Sequence, residues 1–455
     1  MVGLPTKQLR QARKGKPMTS TSDILAMDEH LIRFNTPVGQ GASIVIERGQ
    51  GVWLYDTEGN RYLDGRSQLN CVNLGHGHPR LIAAIREQAG KLQYLSTFYQ
   101  YTHPLAARVA ARLAGLLPGS LNHVAFSSGG SEANEMALMV SRLYWSKVKP
   151  SKTKIISRYD GYHGNTSATI SATGMAMGGQ PGIQAIVPGH IHIPPPYIYR
   201  SDETDPEAYA TVCAGQLRAT IEQQGPDTVA AFIAEPIIGV GGYLVPPEGY
   251  WQKIREICDR YDVLLILDEV MTGFCRTGAM FGADLFDVEP DMLSMGKGIN
   301  STYVPCGALG ISDDLFETIR GSVLSGFTNS GHPLAMAAAD AALDVYEQDD
   351  IATRVRQMHD HIMGRFKNEF LDLDVVGDAD GKGLMLVLEI VENKATKARF
   401  PADIMNRITT RALDQGLICR GKGSRFAFCP PLTITRDEAD YAIDIMYDVL
   451  RTLRN

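Results

Sequence analysis

Residues 264–297 restrict the fold of this chain more than any other stretch. From Val263 to Leu267 the sequence runs Val-Leu-Leu-Ile-Leu, apolar at every position and without alternation. Alternation marks a strand with one wet face; a short unbroken run marks a strand buried on both faces, as in a parallel sheet. Asp268 and Glu269 follow directly. Open α/β sheets bind ligands at the carboxyl ends of their strands, so a carboxylate here is placed to meet one. Further on, residues 291–295, Asp-Met-Leu-Ser-Met, read as a second short strand. It delivers Lys297 between Gly296 and Gly298, where the absent side chains leave room around the amine.

Taken singly, Asp268 reads as a helix cap and Lys297 as a solvated turn residue. At the ends of two buried strands they form the pair that pyridoxal phosphate chemistry requires. The amine forms a Schiff base, and the carboxylate keeps a pyridine nitrogen protonated so that the ring accepts electrons.

Composition narrows the class. A chain of 455 residues exceeds one simple core, so two subdomains are expected. A net charge of −7 offers no basic excess for nucleic acid, and no apolar run is long enough to span a membrane. The seven cysteines are scattered without metal-like pairs; they read as reduced thiols, and no metal site is expected. Residues 1–22 hold no acid and carry Lys7, Arg10, Arg13, Lys14 and Lys16, which reads as a basic, poorly ordered arm. No secretory apolar segment follows, and a cytoplasmic location is expected.

The pattern along the chain alternates in the α/β manner. A short helix is predicted over Asp23–Phe34, a β-meander over Ile44–Asp64, and helices over Arg80–Lys91 and Leu105–Leu117. The strand Asn122–Phe126 runs into Ser127-Ser-Gly-Gly-Ser-Glu-Ala-Asn134, which opens a long helix through Trp145. Free N–H groups and the helix dipole converge in such a loop, which suits one phosphate ester; no Lys-Ser/Thr pair follows, so it is not a Walker loop. Thr153–Ser157 is a strand ending near Tyr162, an aromatic that can cover one face of a planar cofactor. Residues 188–200 read as an irregular surface connection. The strand Thr228–Ala234 brings a second carboxylate, Glu235, to the edge where Asp268 lies. Helix Glu248–Tyr261, strand Gly307–Ile311, loop Ser325–Pro333 and helix Leu334–Tyr346 come next. Beyond them, helix 351–371, strand Leu384–Ile390, helix 402–415, strand Gly416–Cys419 and helix 436–453 describe a compact α+β unit.

These stretches resemble the class III, or omega, aminotransferases of pyridoxal phosphate fold type I, from about residue 25 to 453. The resemblance rests on Ser128-Gly-Gly-Ser-Glu-Ala-Asn134, Gly161-Tyr-His-Gly164, Ala234-Glu-Pro236, Leu267-Asp-Glu-Val270 with Gly273-Phe-Cys-Arg-Thr-Gly278, Gly296-Lys-Gly298 and Gly326-Phe-Thr-Asn-Ser-Gly-His-Pro333. It implies a large domain with a mostly parallel seven-stranded sheet, and a smaller α+β domain built from both termini. The expected division is 1–74, 75–333 and 334–455. It implies pyridoxal 5'-phosphate as cofactor, Lys297 as Schiff-base lysine and proton shuttle, and Asp268 on the pyridinium nitrogen. Tyr162 and Val270 would cover the two ring faces, Gly130 and Ser131 the phosphate, and Glu235 the neighbourhood of the ring oxygen. A homodimer is implied, with Thr328 reaching the partner's cofactor, and a tetramer is left open.

In that family an arginine near the C-terminus takes a substrate carboxylate. Leu417-Ile-Cys-Arg420 matches its position, with Arg425 as the weaker candidate. The segment Asp64-Gly-Arg-Ser-Gln-Leu-Asn-Cys-Val-Asn73 departs from the family: Asn70 stands where a bulky aromatic is usual, and Arg66 adds a cation. With Arg33, these residues make a polar, cationic pocket suited to a small anionic amine; structural ion pairs for Arg33 and Arg66 are the competing expectation. The expected activity is transfer of an amino group from a small anionic ω-amino compound to pyruvate or another 2-oxo acid. The alternative is an ammonia-lyase or phospholyase acting on a hydroxylated or phosphorylated aminoethyl compound.

Overall fold

The computed structural model describes residues 20–34, 36–175 and 187–454. The basic arm expected over residues 1–22 therefore lies, but for its last three residues, outside the described ones. Fifteen strands are seen among the described residues, in three sheets. The first sheet holds β1 (Ile46–Gln50), β2 (Trp53–Asp56) and β3 (Arg61–Asp64), the predicted meander. The large sheet holds β4 (His123–Ser127), β5 (Lys154–Arg158), β6 (His190–Ile193), β7 (Val229–Ala234), β8 (Leu264–Asp268), β9 (Met292–Met295) and β10 (Gly307–Ile311). The third holds β11 (Val376–Lys382), β12 (Met385–Ile390), β14 (Arg420–Lys422) and β15 (Arg425–Phe428), while β13 (Leu417–Ile418) joins the first.

The large sheet has the order β4-β10-β9-β8-β7-β5-β6. Only β10 runs against its neighbours; the pairs β5–β6, β5–β7, β7–β8 and β8–β9 are parallel. Every residue of β7, β8 and β9 is buried, which is the physical reason their sequences do not alternate. Helices Gly130–Val148, Pro206–Gln224 and Tyr250–Arg260 pack on this sheet and remove its apolar faces from water. Since β4 and β9 both oppose β10, strands β4, β5, β7, β8 and β9 share one direction, and five loops that follow them open at one edge.

The C-terminal unit returns to the N-terminal meander. β13 pairs in parallel with β3, setting Leu417 beside Leu63 and Ile418 beside Asp64. This is the fold type I arrangement, with the smaller α+β part drawn from both ends of the chain.

Several elements differ from expectation. Residues 188–200 are not wholly irregular: His190–Ile193 forms an edge strand parallel to β5, its His-Ile-His-Ile alternation hidden by the flanking prolines. The first helix ends at Asp28, not Phe34. It buries no residue, so packing does not extend it, and Leu31, Ile32 and Phe34 stay exposed. The predicted helix 351–371 is α-helical over Ile351–Arg365 and closes with a π turn, Phe366–Phe370. Strands β11, β14 and β15 escaped prediction because they carry Asp378, Asp380, Arg420, Lys422 and Arg425, charges untypical of a strand pattern.

Candidate active site

Asp268 closes β8 with its side chain almost wholly buried. Its Oδ2 is bonded to Nδ1 of His163 at 2.7 Å and accepts from the side-chain amide of Asn134 at 2.8 Å. Its Oδ1 accepts from the Val270 N–H at 3.1 Å. Asn134 is itself held: its amide also donates to the His163 carbonyl at 2.8 Å, and its oxygen accepts from Ser294 Oγ at 2.5 Å. Ser294 lies directly across from Asp268 in the β8–β9 pair. Three elements thus converge on one carboxylate: the helix after β4, the loop after β5, and β9. This fixed orientation leaves Oδ1 room to accept a further proton donor.

Lys297 follows β9 through Gly296 and opens a short 3-10 turn. Its backbone is left-handed, φ 39°. A non-glycine residue held there is strained, and such strain recurs at functional positions. Lys297 makes no ion pair among the described residues. Val270 lies between the two glycine loops: a Cβ on Gly130 would stand 2.7 Å from Val270 Cγ1, and one on Gly296 would stand 3.2 Å from it. Substituting Gly130 would therefore fill the space that Val270 shares with the glycine loop.

Gly130 and Ser131 are the first two residues of a 19-residue helix, and Gly129 before them offers no side-chain cap. The first-turn N–H groups are thus available to an anion, with the helix dipole behind them. Ser131 Oγ accepts from the Asn165 N–H at 3.3 Å, which ties this loop to the one carrying Tyr162. Burial first, then the Asp268 charge, pushes the Tyr162 phenol above its ordinary pKa.

Glu235 follows β7, fully enclosed. Oε1 accepts from the Tyr162 N–H at 3.1 Å and Oε2 from the Gly239 N–H at 2.8 Å. Burial pushes its carboxyl pKa up, and the nearby Asp268 adds to the rise. A planar pyridine with one phosphate fits this set of residues: an anchored carboxylate for the ring nitrogen, an uncapped helix start for the phosphate, an aromatic and a valine for the faces, and an unpaired amine.

The third sheet supplies cations. Arg420 sits opposite Ala427, and Lys422 opposite Arg425, so Arg420, Lys422 and Arg425 share one sheet face. Gly421 turns the other way, where a Cβ would collide with Met405. Arg425 is spent on structure: its Nε bonds Glu389 at 3.2 Å and Tyr197 at 3.0 Å, and its Nη1 the Gly242 carbonyl at 3.2 Å. Arg420 has no such partner among the described residues. Burial, then the charge of Arg66, pulls its pKa down. Among the described residues Arg66 likewise has no carboxylate, and its buried Nε has no hydrogen-bond partner.

One expected residue takes another place. Arg33 is bonded to Asp28, whose other oxygen accepts from the Ala42 N–H at 3.0 Å; the structural pair accounts for it, and it leaves the group of substrate contacts. Thr328 lies exposed on its loop, with only its carbonyl engaged, by Tyr94 Oη at 2.9 Å. Asn70 is buried and left-handed, φ 56°, and its Oδ1 accepts from Tyr243 Oη at 2.6 Å. His163, Asn134, Ser294 and Lys422 were not singled out in the sequence. His163 and Asn134 lie inside motifs that were, and a polar side chain in a buried strand was the available signal for Ser294.

Residues 36–450 match the family model for class-III aminotransferases. The putrescine–pyruvate aminotransferase of Pseudomonas aeruginosa is 37% identical over 428 residues, covering 92% of this chain and 94% of that one. The mitochondrial gamma-aminobutyrate transaminase 1 of Oryza sativa subsp. japonica is 35% identical, covering 90% and 81%. Among solved structures, an (S)-enantioselective omega-transaminase from Thermomicrobium roseum superposes with a TM-score of 0.92 at 38% identity, covering 96% of this chain and all of that one. The Pseudomonas jessenii omega-transaminase in complex with PMP gives 0.91 at 33% identity, covering 96% and 98%.

Proposed function

The chain belongs to the class III aminotransferases, and from that footing we propose that its amino donor is a small amine carrying an anion: an ω-amino carboxylate, sulfonate or phosphonate. The enzyme uses pyridoxal phosphate and moves an amino group to pyruvate or another 2-oxo acid. One observation carries the choice of donor. Burial and then the charge of Arg66 disfavour the charge of Arg420, yet neither arginine has a carboxylate partner among the described residues. Two such guanidiniums are costly unless an anion joins them. Putrescine, named for the Pseudomonas relative, brings none; gamma-aminobutyrate, named for the rice one, does.

When bound, pyridoxal phosphate supplies an electron-accepting ring conjugated to the carbon that is deprotonated. Asp268 accepts the hydrogen bond of the ring nitrogen, and His163 and Asn134 keep it aimed. Lys297, as a neutral amine, would take and return the proton at the substrate carbon. Tyr162 and Val270 exclude water from the two faces. The N–H groups at Gly130 and Ser131 hold the phosphate. Glu235 buttresses the Tyr162 loop. Arg420 takes the carboxylate of the oxo acid or the anion of the donor, and Asn70 positions Tyr243 at the pocket wall.

The reading includes a homodimer in which Thr328 reaches the cofactor of the partner. Phe98, Tyr99, Tyr101 and Val323 are exposed apolar side chains. Beside them a cavity of about 410 Å³ is lined by Phe98, Phe126, Met139 and Leu324. Surfaces of this kind are covered in assemblies. Sedimentation equilibrium reads the mass, and Thr328→Ala should loosen cofactor only if the chains associate.

A half-reaction without any oxo acid tests the donor. Holoenzyme is mixed with β-alanine, taurine, 2-aminoethylphosphonate, putrescine or 1-phenylethylamine, and the cofactor spectrum and free ammonia are recorded together. The expected result is rapid conversion to pyridoxamine phosphate, without ammonia, by one of the first three. Faster conversion by putrescine or phenylethylamine would sink the anionic-donor reading; stoichiometric ammonia would mean a lyase.

A further inference from the structure

We propose that Lys422 is a specificity residue of this pocket: with Arg420 on the same sheet face, it selects substrates whose anionic end is a dianion of the phosphonate or phosphate type. The inference rests on the anionic-donor reading above and goes one step beyond it.

Two positions apart on β14, Arg420 and Lys422 project to the same side, roughly 6–7 Å apart along the strand. The face they share packs on the loop after Glu235, since a Cβ on Gly242 would touch the neighbouring Arg425. Lys422 Nζ is shut off from solvent and has no hydrogen-bond partner among the described residues. The acids that act on it, Asp160 and Glu235, do so from beyond ion-pair distance, while Arg420 and Arg425 oppose its charge. Burial outweighs them all and lowers the ammonium pKa. Each Glu235 oxygen is engaged by a backbone N–H, and neither lies within hydrogen-bond distance of Lys422 Nζ. Arg425 shows what a structural cation looks like on this face: every charge is matched by Glu389 or a carbonyl.

Lys422 is therefore an enclosed amine that the fold itself leaves unpaired, and a bound anion would favour its charged form. Buried ammonium groups in folded chains are paired or they neutralise. With Arg420 equally unpaired, a substrate monoanion balances one of the two charges. A dianion balances both, and a tetrahedral group offers oxygens to each cation at once. Lys422 has a compact, mobile head suited to a point contact, and Arg420 a planar fork suited to two parallel bonds.

The test uses holoenzyme and three unreactive anions of matched chain length, with binding read by calorimetry at pH 8: ethylphosphonate, ethanesulfonate and propionate. Wild type should bind ethylphosphonate best. Lys422→Met should weaken ethylphosphonate by about tenfold or more and the two monoanions by less than about threefold, the scale of one charge-assisted hydrogen bond. Lys422→Arg should restore most of the loss, and Arg420→Ala should weaken all three. Because the lysine is unpaired, Lys422→Met without anion should melt no lower than wild type; a large drop in melting temperature would assign it a structural role and overturn the proposal. An equal loss for all three anions, or none, would overturn the selection for a dianion while leaving the anionic-donor reading intact. If wild type binds none of the three, that reading fails and Lys422 falls with it.

Discussion

Asp268 Oδ2 and His163 Nδ1 lie 2.7 Å apart with both side chains nearly inaccessible to water. With the carboxylate ionised, the bond requires the proton on Nδ1, so the imidazole acts as a fixed donor that orients Asp268 toward the ring nitrogen. A hydrogen bond to a buried charge contributes about 1.5–3 kcal/mol, and its loss exposes the full cost of the carboxylate.

His163→Ala should accordingly lower kcat/KM by about 10–100-fold. His163 is a positioning residue, acting through Asp268, and a double-mutant cycle checks this. Asp268→Ala and Asp268→Ala/His163→Ala should be equally slow, since the histidine has nothing left to orient. A double variant slower by the product of the two single effects would place His163 in a separate role.

Removing the amine separates holding the cofactor from using it. Lys297→Ala leaves Asp268, the glycine loop, Tyr162 and Val270 in place, so pyridoxal phosphate should still copurify. Borohydride should then fix cofactor to wild type and leave it extractable from the variant. Turnover should fall by at least about 10³-fold, near the upper range for loss of a positioned acid–base group. Near-normal turnover would mean that another base moves the proton.

Much of this site could be read before the fold, because its markers are local. Asp268 and Lys297 stand at the ends of strands buried on both faces, and burial of that kind writes itself into an apolar run. Gly130 and Ser131 open a helix just after a glycine-serine loop, and contact with Val270 leaves no room for a Cβ at Gly130. What could not be read depends on partners distant in the chain. Nothing near Arg425 in sequence says that Glu389 neutralises it while Arg420, five residues earlier, goes without. Nor does a lysine in Arg-Gly-Lys announce that its Nζ is enclosed. The third sheet was half missed for the same reason: Asp380, Lys422 and Arg425 look like loop residues until the cross-strand pairing that houses them is known.

Asn70 and Tyr243 make a second distant pair. Their 2.6 Å bond joins the contorted turn at 67–70 to the loop after Glu235. Asn70→Ala leaves a buried hydroxyl without its acceptor, which costs about 1–3 kcal/mol. The expected outcome is a lower melting temperature together with a raised KM for the donor and little change in kcat, since the pocket wall moves and the chemistry does not. A fall in kcat at unchanged KM would argue that Tyr243 touches the reacting atoms.

Glu269 gives the protein a pH dependence of its own. It is fully buried beside Asp268, and burial raises its carboxyl pKa to about 7. Thr272 Oγ1 and the Ala283 N–H, the latter at 2.6 Å, donate to it and limit the rise. In the unfolded chain a glutamate titrates near about 4.3, so between the two values the folded state holds a proton that the unfolded state has lost. Stability from this group is fully present below the unfolded value and disappears as pH rises through about 7. A one-proton difference has a slope of about −1.4 kcal/mol per pH unit. Glu269→Gln keeps the shape and cannot titrate. Subtracting its urea-unfolding free energies from those of wild type should leave that slope between about pH 5 and 6.5 and a plateau above about 7.5. Parallel curves for the two proteins across this range would show that Glu269 is ionised in the fold, and that the groups donating to it outweigh the cost of burying its charge.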